Sequence, residues 1–172
     1  AFGLTESNAG SDAAAIKSVA EKQPDGGYIL NGSKAWITNS GVADYYLIMA
    51  KTDPAAGNHG ISVFVVPKDA EGLTVGKFEK KMGMRGTATC ELSFDNVRLP
   101  ADSLVGDEGK GFMIAMQALD GARISIGAIA SGLMQHAMDK AAAYARERTT
   151  FGKPIARHQA VGFKFADMAA KI

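Results

Sequence analysis

Along the first hundred residues, apolar positions fall in short β-branched and aromatic runs separated by turn residues, the signature of strands. Candidate strands cover residues 16–22, 28–30, 34–38, 45–51, 61–67, 73–78 and 90–99. Pro24-Asp25-Gly26-Gly27 reads as a turn, because Pro presets φ and Gly supplies positive φ. Asn31-Gly32 carries a tight-turn signal, and Asp53-Pro54 and Gly57-Asn58-His59-Gly60 mark further turns. Leu47-Ile48-Met49-Ala50 and Val63-Phe64-Val65-Val66 read as buried on both faces. Many short strands without helices between them predict an antiparallel sandwich or barrel-like domain.

From about residue 108 the period changes. Ile126, Ile129, Ala130, Leu133, Ala137, Ala141, Tyr144 and Ala145 recur at helical spacing. Residues 111–148 contain no Pro, and as one helix they would run roughly 55 Å at about 1.5 Å per residue. That exceeds the usual globular helix, so a break is expected near Asp120-Gly121. Gly127, Ala128, Ala130, Ser131 and Gly132 permit close helix packing. Arg146, Glu147 and Arg148 close the helix, Gly152 and Pro154 stop it, and a second helix starts near Ile155. The fold class is therefore α+β, with a β-domain over residues 1–105 followed by helices over residues 106–172.

With 172 residues and 47% hydrophobic content, the chain can bury a core. A formal net charge of +1 offers no field for nucleic acid or an anionic membrane. No uncharged apolar stretch of membrane-spanning length is present, so no membrane insertion is expected. Cys90 is the one cysteine, which excludes an internal disulfide and suits a reducing compartment. The chain opens Ala1-Phe2-Gly3 without an initiator Met and stops inside a helical pattern, so it reads as a piece of a longer protein.

Four segments can carry chemistry, each with a plainer alternative. The loop Phe2-Gly3-Leu4-Thr5-Glu6-Ser7-Asn8-Ala9-Gly10-Ser11-Asp12 concentrates glycines and hydroxyls, which suits a phosphate or a polar ring edge or simply a turn. Lys34-Ala35-Trp36-Ile37-Thr38 places the one Trp beside a Thr, for stacking on a flat cofactor or for the core. Asp120 and Arg123 share a helix face, as an ion pair or as contacts to a polar ligand. Arg148, Phe151, Lys153 and Gln159 surround a connection that suits a nucleotide or a solvated turn. Gly106-Asp107-Glu108-Gly109-Lys110-Gly111 lacks dinucleotide spacing, and no βαβ unit surrounds it. His59, His136 and His158 have no metal-like spacing, so no metal is expected.

Taken in order, these segments resemble the acyl-CoA dehydrogenase family, close to its short- and medium-chain branch. The resemblance rests on Leu4-Thr5-Glu6 with Gly10-Ser11-Asp12, Leu30-Asn31-Gly32-Ser33-Lys34 with Trp36-Ile37-Thr38-Asn39, and Lys81-Met82-Gly83-Met84-Arg85-Gly86-Thr87. It continues through Gly109-Lys110-Gly111-Phe112, Leu119-Asp120 with Arg123, and Arg148 with Phe151-Gly152-Lys153-Pro154 and Gln159. It implies the middle β-domain followed by the first helices of a helical-bundle domain. It further implies an FAD-dependent oxidoreductase of fatty acid β-oxidation that converts acyl-CoA thioesters to 2-enoyl-CoA. Electron-transfer flavoprotein is the implied electron acceptor and a homotetramer the implied assembly.

The resemblance assigns cofactor contacts to Phe2, Leu4, Thr5, Ser11, Trp36, Ile37 and Thr38, with Thr5 at the pyrimidine edge and Thr38 near flavin N5. Ser11, Asp120 and Arg123 match substrate contacts. Arg148, Phe151 and Gln159 match positions that reach the FAD of a neighbouring subunit. The catalytic Glu of most members falls beyond Ile172. A minority place it just before the arginine matched by Arg123, where this chain has Ala122, so no catalytic residue is assigned and the chain alone is expected to be inactive. An acyl-CoA oxidase, a related flavin monooxygenase and a noncatalytic cofactor-binding or oligomerisation module are the alternatives. Bacterial cytoplasm and mitochondrial matrix both suit the composition.

Overall fold

The computed structural model describes residues 1–172. Its sheet strands are Phe2–Gly3 (β1), Val19–Lys22 (β2), Tyr28–Thr38 (β3), Tyr45–Lys51 (β4), Ile61–Pro67 (β5), Leu73–Val75 (β6) and Thr89–Leu99 (β7). They form one seven-stranded sheet in the order β1-β4-β2-β3-β7-β6, with β5 paired to β4. β1 and β2 run parallel to β4, and the other pairs are antiparallel. The predicted turn at Pro24-Asp25-Gly26-Gly27 joins β2 to β3. It is closed by the Gly27 N–H donating to Asp25 Oδ1 at 3.0 Å and the Gln23 N–H donating to Gly27 O at 2.8 Å.

Two apolar clusters form because the middle strands are covered on both faces. Ile48, Ala50 and Phe64 join Tyr28, Leu30, Ile37 and Leu92 in one cluster. Met49 and Val63, which alternate with them, join Leu4, Ile16, Ile61 and Ala115 in the other. The both-face reading of these runs therefore holds, except that Leu47 is exposed and Val65 half-buried.

Asn31-Gly32 is not a hairpin turn. It lies inside β3, where the pairing with β7 slips from Leu30↔Val97 to Gly32↔Phe94. The extra residue sits on β7, where Asn96 adopts φ 52° and its N–H donates to Asn31 Oδ1 at 2.7 Å. Gly32 has φ 136°, and a Cβ there would lie 2.7 Å from Ser18 Cα, so glycine serves close backbone approach. Two strand predictions are also too long. The Lys17 and Ser18 N–H groups bond the Glu6 carboxylate, so β2 begins only at Val19, and β6 ends at Val75.

The expected break near Asp120-Gly121 does not occur. Gly111–Glu147 (α1) is one unbroken helix of 37 residues. A lone interior Gly weakens a helix by about 1 kcal/mol but keeps its N–H in the ladder, unlike Pro. At its start Gly111 packs on β5, where a Cβ would lie 2.7 Å from Ser62 Cα, and Ala115 is buried in the second cluster. After α1, Thr149–Thr150 (β8) and Lys153–Pro154 (β9) pair as a small hairpin. A 3-10 turn, Ile155–Arg157, then leads into Gln159–Lys171 (α2). The chain divides into two compact units, Ala1–Gln117 and Ala118–Ile172.

Gly32→Ala is expected to cost about 1–3 kcal/mol, because it combines positive φ with a backbone clash. Gly83→Ala, with open space around its Cβ position, is expected to stay within about 0.5 kcal/mol of the parent. Urea unfolding of the two variants checks the contrast, and equal midpoints would contradict it.

Candidate functional site

In the first unit, the loop after β1 is fastened to β3 residue by residue. The Ala35 N–H donates to Thr5 O at 2.9 Å. Lys34 Nζ donates to Leu4 O at 3.2 Å and to Glu6 Oε1 at 2.7 Å. Glu6 also accepts the Lys17 N–H at 2.6 Å, the Ser18 N–H at 3.0 Å and the Ser18 hydroxyl at 2.6 Å. Reciprocal bonds between Glu6 and Ala9 close the Ser7-Asn8 turn. The two predicted flavin-contacting stretches are therefore neighbours in space.

The Glu6–Lys34 pair is buried, with 0% of the Lys34 side chain and 9% of the Glu6 side chain exposed. Burial pushes the Glu6 carboxyl up, but the donors on Lys34, Ser18 and the Lys17 backbone outweigh it and hold the group below the ordinary carboxylate value. The same burial pulls the Lys34 ammonium down against the pull of Glu6. The carboxylate, with four donors, is the half whose charge the fold secures. Sequence reading assigned neither residue a role. By β3 alternation, Lys34 follows buried Tyr28 and Leu30 onto the inward face, whereas Ile37 would fall on the opposite one. Pairing instead passes from Lys34↔Leu92 to Ile37↔Cys90, with one extra residue on β3. This bulge leaves Ala35 buried beside Lys34 and returns Ile37 to the inward face.

The same bulge presents Trp36. Its φ of 60° is uncommon for a bulky side chain, and 62% of the residue is exposed. A core role for this Trp is thus excluded in this unit. Thr38, at the end of β3, is exposed and Thr5 is half-buried. Leu4 and Ile37 are core residues, so only their backbone can meet a ligand, and Phe2 packs at the edge of the second cluster. Ser11 is exposed farther along the loop. An uncovered aromatic face beside an immobilised polar backbone and two threonine hydroxyls fits a flat heteroaromatic group with a hydrogen-bonding edge, as an isoalloxazine has.

In the second unit, Asp120 and Arg123 are exposed on α1 and form no ion pair with each other, and Ala122 lies between them. The hairpin brings the remaining residues together. Arg148 O accepts the Ile155 N–H at 2.8 Å. Phe151, at φ 51°, stands 96% exposed at the tip, edge-on to His158 at 6.1 Å between ring centroids. His158 Nε2 and Thr150 Oγ1 lie 3.0 Å apart, and exposed Gln159 opens α2.

Two outcomes test this geometry. Trp36→Ala in the cofactor-free chain is expected to shift urea stability by less than about 1 kcal/mol, against about 3–5 for a buried Trp. Glu6 is held below its ordinary value of 4.5, so its contribution to folding is complete above that pH and drains away as pH falls through the depressed value. Urea midpoints at about pH 6 and about pH 3.5 are therefore expected to differ less in Glu6→Gln than in the parent. Equal acid losses would remove Glu6 from the account.

Comparison with known proteins identifies the family. The family profile described as acyl-CoA dehydrogenase, middle domain, matches residues 1–97, and the one described as acyl-CoA dehydrogenase, C-terminal domain, matches residues 109–172. A short-chain specific acyl-CoA dehydrogenase of Megasphaera elsdenii is 49% identical over 172 residues, which is 100% of this chain and 45% of that protein. The structure of butyryl-CoA dehydrogenase from Megasphaera elsdenii superposes with a TM-score of 0.95 at 48% identity, covering 99% of this chain and 44% of the other. An acyl-CoA dehydrogenase from Bacillus anthracis complexed with FAD superposes with a TM-score of 0.90 at 39% identity, covering 99% and 29%. The chain thus spans less than half the length of these relatives. Its two profile matches, in the same order as its two units, establish that the chain belongs to the acyl-CoA dehydrogenase family.

Proposed function

We propose that this chain is the flavin-contacting β-domain and the first helices of the helical bundle in an FAD-dependent dehydrogenase that converts acyl-CoA thioesters to 2-enoyl-CoA in β-oxidation. The observation that carries the reading is the clamped Leu4-Thr5-Glu6 loop lying beside the strained, exposed Trp36. FAD, when bound, accepts the hydride from the substrate β carbon. Thr5 and the neighbouring backbone donate to the pyrimidine edge, where they stabilise negative charge through fixed dipoles. Trp36, the Ile37 backbone, Phe2 and Leu4 would hold the flavin, and the Thr38 hydroxyl would offer it a hydrogen bond near N5. Ser11 meets both the cofactor and the CoA portion of the substrate.

Asp120 and Arg123 bind polar groups of the acyl-CoA. Ala122 has no proton to move, so the base that removes the α proton comes from outside residues 1–172. Arg148, Phe151 and Gln159 reach the FAD of a neighbouring subunit, which requires a homo-oligomer, here a tetramer. Electrons leave to an electron-transfer flavoprotein. The exposed apolar residues of α1, among them Ile124, Ile126 and Leu133, are covered by other helices of the bundle. This assigns to helix packing a helix that by length and hydropathy alone could cross a membrane. The protein works in bacterial cytoplasm or the mitochondrial matrix.

In a protein of the relatives' full length, Thr38→Ala is expected to slow anaerobic flavin reduction by butyryl-CoA about tenfold while changing FAD affinity less. Unchanged reduction kinetics would take Thr38 out of the reaction. The 172-residue chain alone is expected to give no turnover with butyryl- or octanoyl-CoA, and reduction of an electron acceptor above background would refute that.

A further inference from the structure

We propose that Glu6 and Lys34 are positioning residues, whose buried ion pair sets the Leu4 and Thr5 backbone and the Trp36 bulge in their flavin-receiving geometry before any cofactor arrives. This rests on the flavin reading above and adds to it two residues that lie behind the ring-facing groups. Lys34 Nζ bonds the residues on either side of Thr5, through Leu4 O at 3.2 Å and Glu6 Oε1 at 2.7 Å. The next residue on the strand, Ala35, takes Thr5 O itself at 2.9 Å. Glu6 carries the connection to Lys17 and Ser18, and the Ser18 hydroxyl lies 3.3 Å from Ser33 O. The circuit thus leaves β3, passes through the loop and residues 17 and 18, and returns to β3.

Leu4, Glu6, Ser18, Lys34 and Ala35 are all buried, so solvent does not compete for these bonds. As a device for stability alone, the pair has no advantage, because well-packed apolar residues stabilise such a place as well or better. What apolar residues cannot supply is a donor for Leu4 O and acceptors for Lys17 and Ser18. Trp36, two residues after Lys34, holds a backbone conformation that costs about 1–3 kcal/mol and persists only where its surroundings over-determine it. A loop and bulge already fixed lose no further freedom on meeting a ligand, which is the gain of preorganisation.

The test uses a protein of the relatives' full length, stripped of FAD and then reloaded. In the stripped wild type, the Ala35 and Ser18 amides are expected to exchange at least about 100-fold more slowly than exposed loop amides, and at nearly their FAD-loaded rates. Fast exchange that slows only when FAD is added would overturn the proposal. The double variant Glu6→Gln/Lys34→Met keeps an acceptor for Ser18 and removes both charges and the donor to Leu4 O. It is expected to melt within a few degrees of wild type, to bind FAD about tenfold more weakly, and to show a displaced flavin absorption band. A folded double variant with wild-type FAD affinity and spectrum would make the pair structural only. If the double variant does not fold, amide exchange in the stripped wild type decides the matter. A wild type that takes up no FAD would defeat the flavin reading, while the exchange rates would still judge the pair.

Discussion

One buried charge pair organises the first unit around its candidate site. Two charges removed from water cost several kcal/mol each unless every lone pair and proton finds a partner. Here the carboxylate of Glu6 collects four donors, and Lys34 divides its own between that carboxylate and Leu4 O. Those bonds are geometrically demanding, so the loop has few other conformations that leave the charges satisfied. Hydrophobic burial closes the two clusters on either side of β4 and β5, but it is non-directional and would tolerate small shifts of the loop. The ionic circuit is what makes the position of Thr5 specific.

Irregularity in β3 is the second ingredient. A regular eleven-residue strand would alternate faces without interruption. One pairing slip, with the extra residue on β3 before Ile37, breaks that alternation, while another places its extra residue on β7 at Asn96. The slip on β3 follows directly after Lys34, which meets Glu6 on the inward face, and leaves Trp36 exposed before Ile37 returns to the core. Strand strain and ion pairing therefore occupy the same few residues.

These features explain what was legible in the sequence. Runs such as residues 45–51 and 61–67 announce their strands because β-branched and aromatic residues fit a pleated, buried surface. The turn at residues 24–27 was readable because Pro and Gly act locally. Family motifs singled out Thr5, Trp36 and Thr38, and the Thr5–Ala35 backbone bond brings their two stretches together. What stayed hidden depends on long-range contacts. Gly32 carries the local signal of a hairpin, yet its use is set by Ser18 lying across it. Lys34 reads as a solvated lysine until Glu6 is found opposite it, 28 residues away in sequence. The continuity of α1 through Gly121 was missed because a length expectation outweighed the physical fact that glycine still donates its hydrogen bond.

The parallel pairing of β1 with β4 has a consequence for assembly. Phe2 finds Leu47, and Thr5 finds Ala35, only after the chain has closed loops of some tens of residues, whereas the β2–β3 hairpin and the turns of α1 form from near neighbours. During synthesis, residues that leave the ribosome early must therefore wait for later ones before they acquire a fixed shape. The juxtaposition of loop and bulge arises late in folding, and a nascent chain can be rich in helix and hairpin before the candidate site exists.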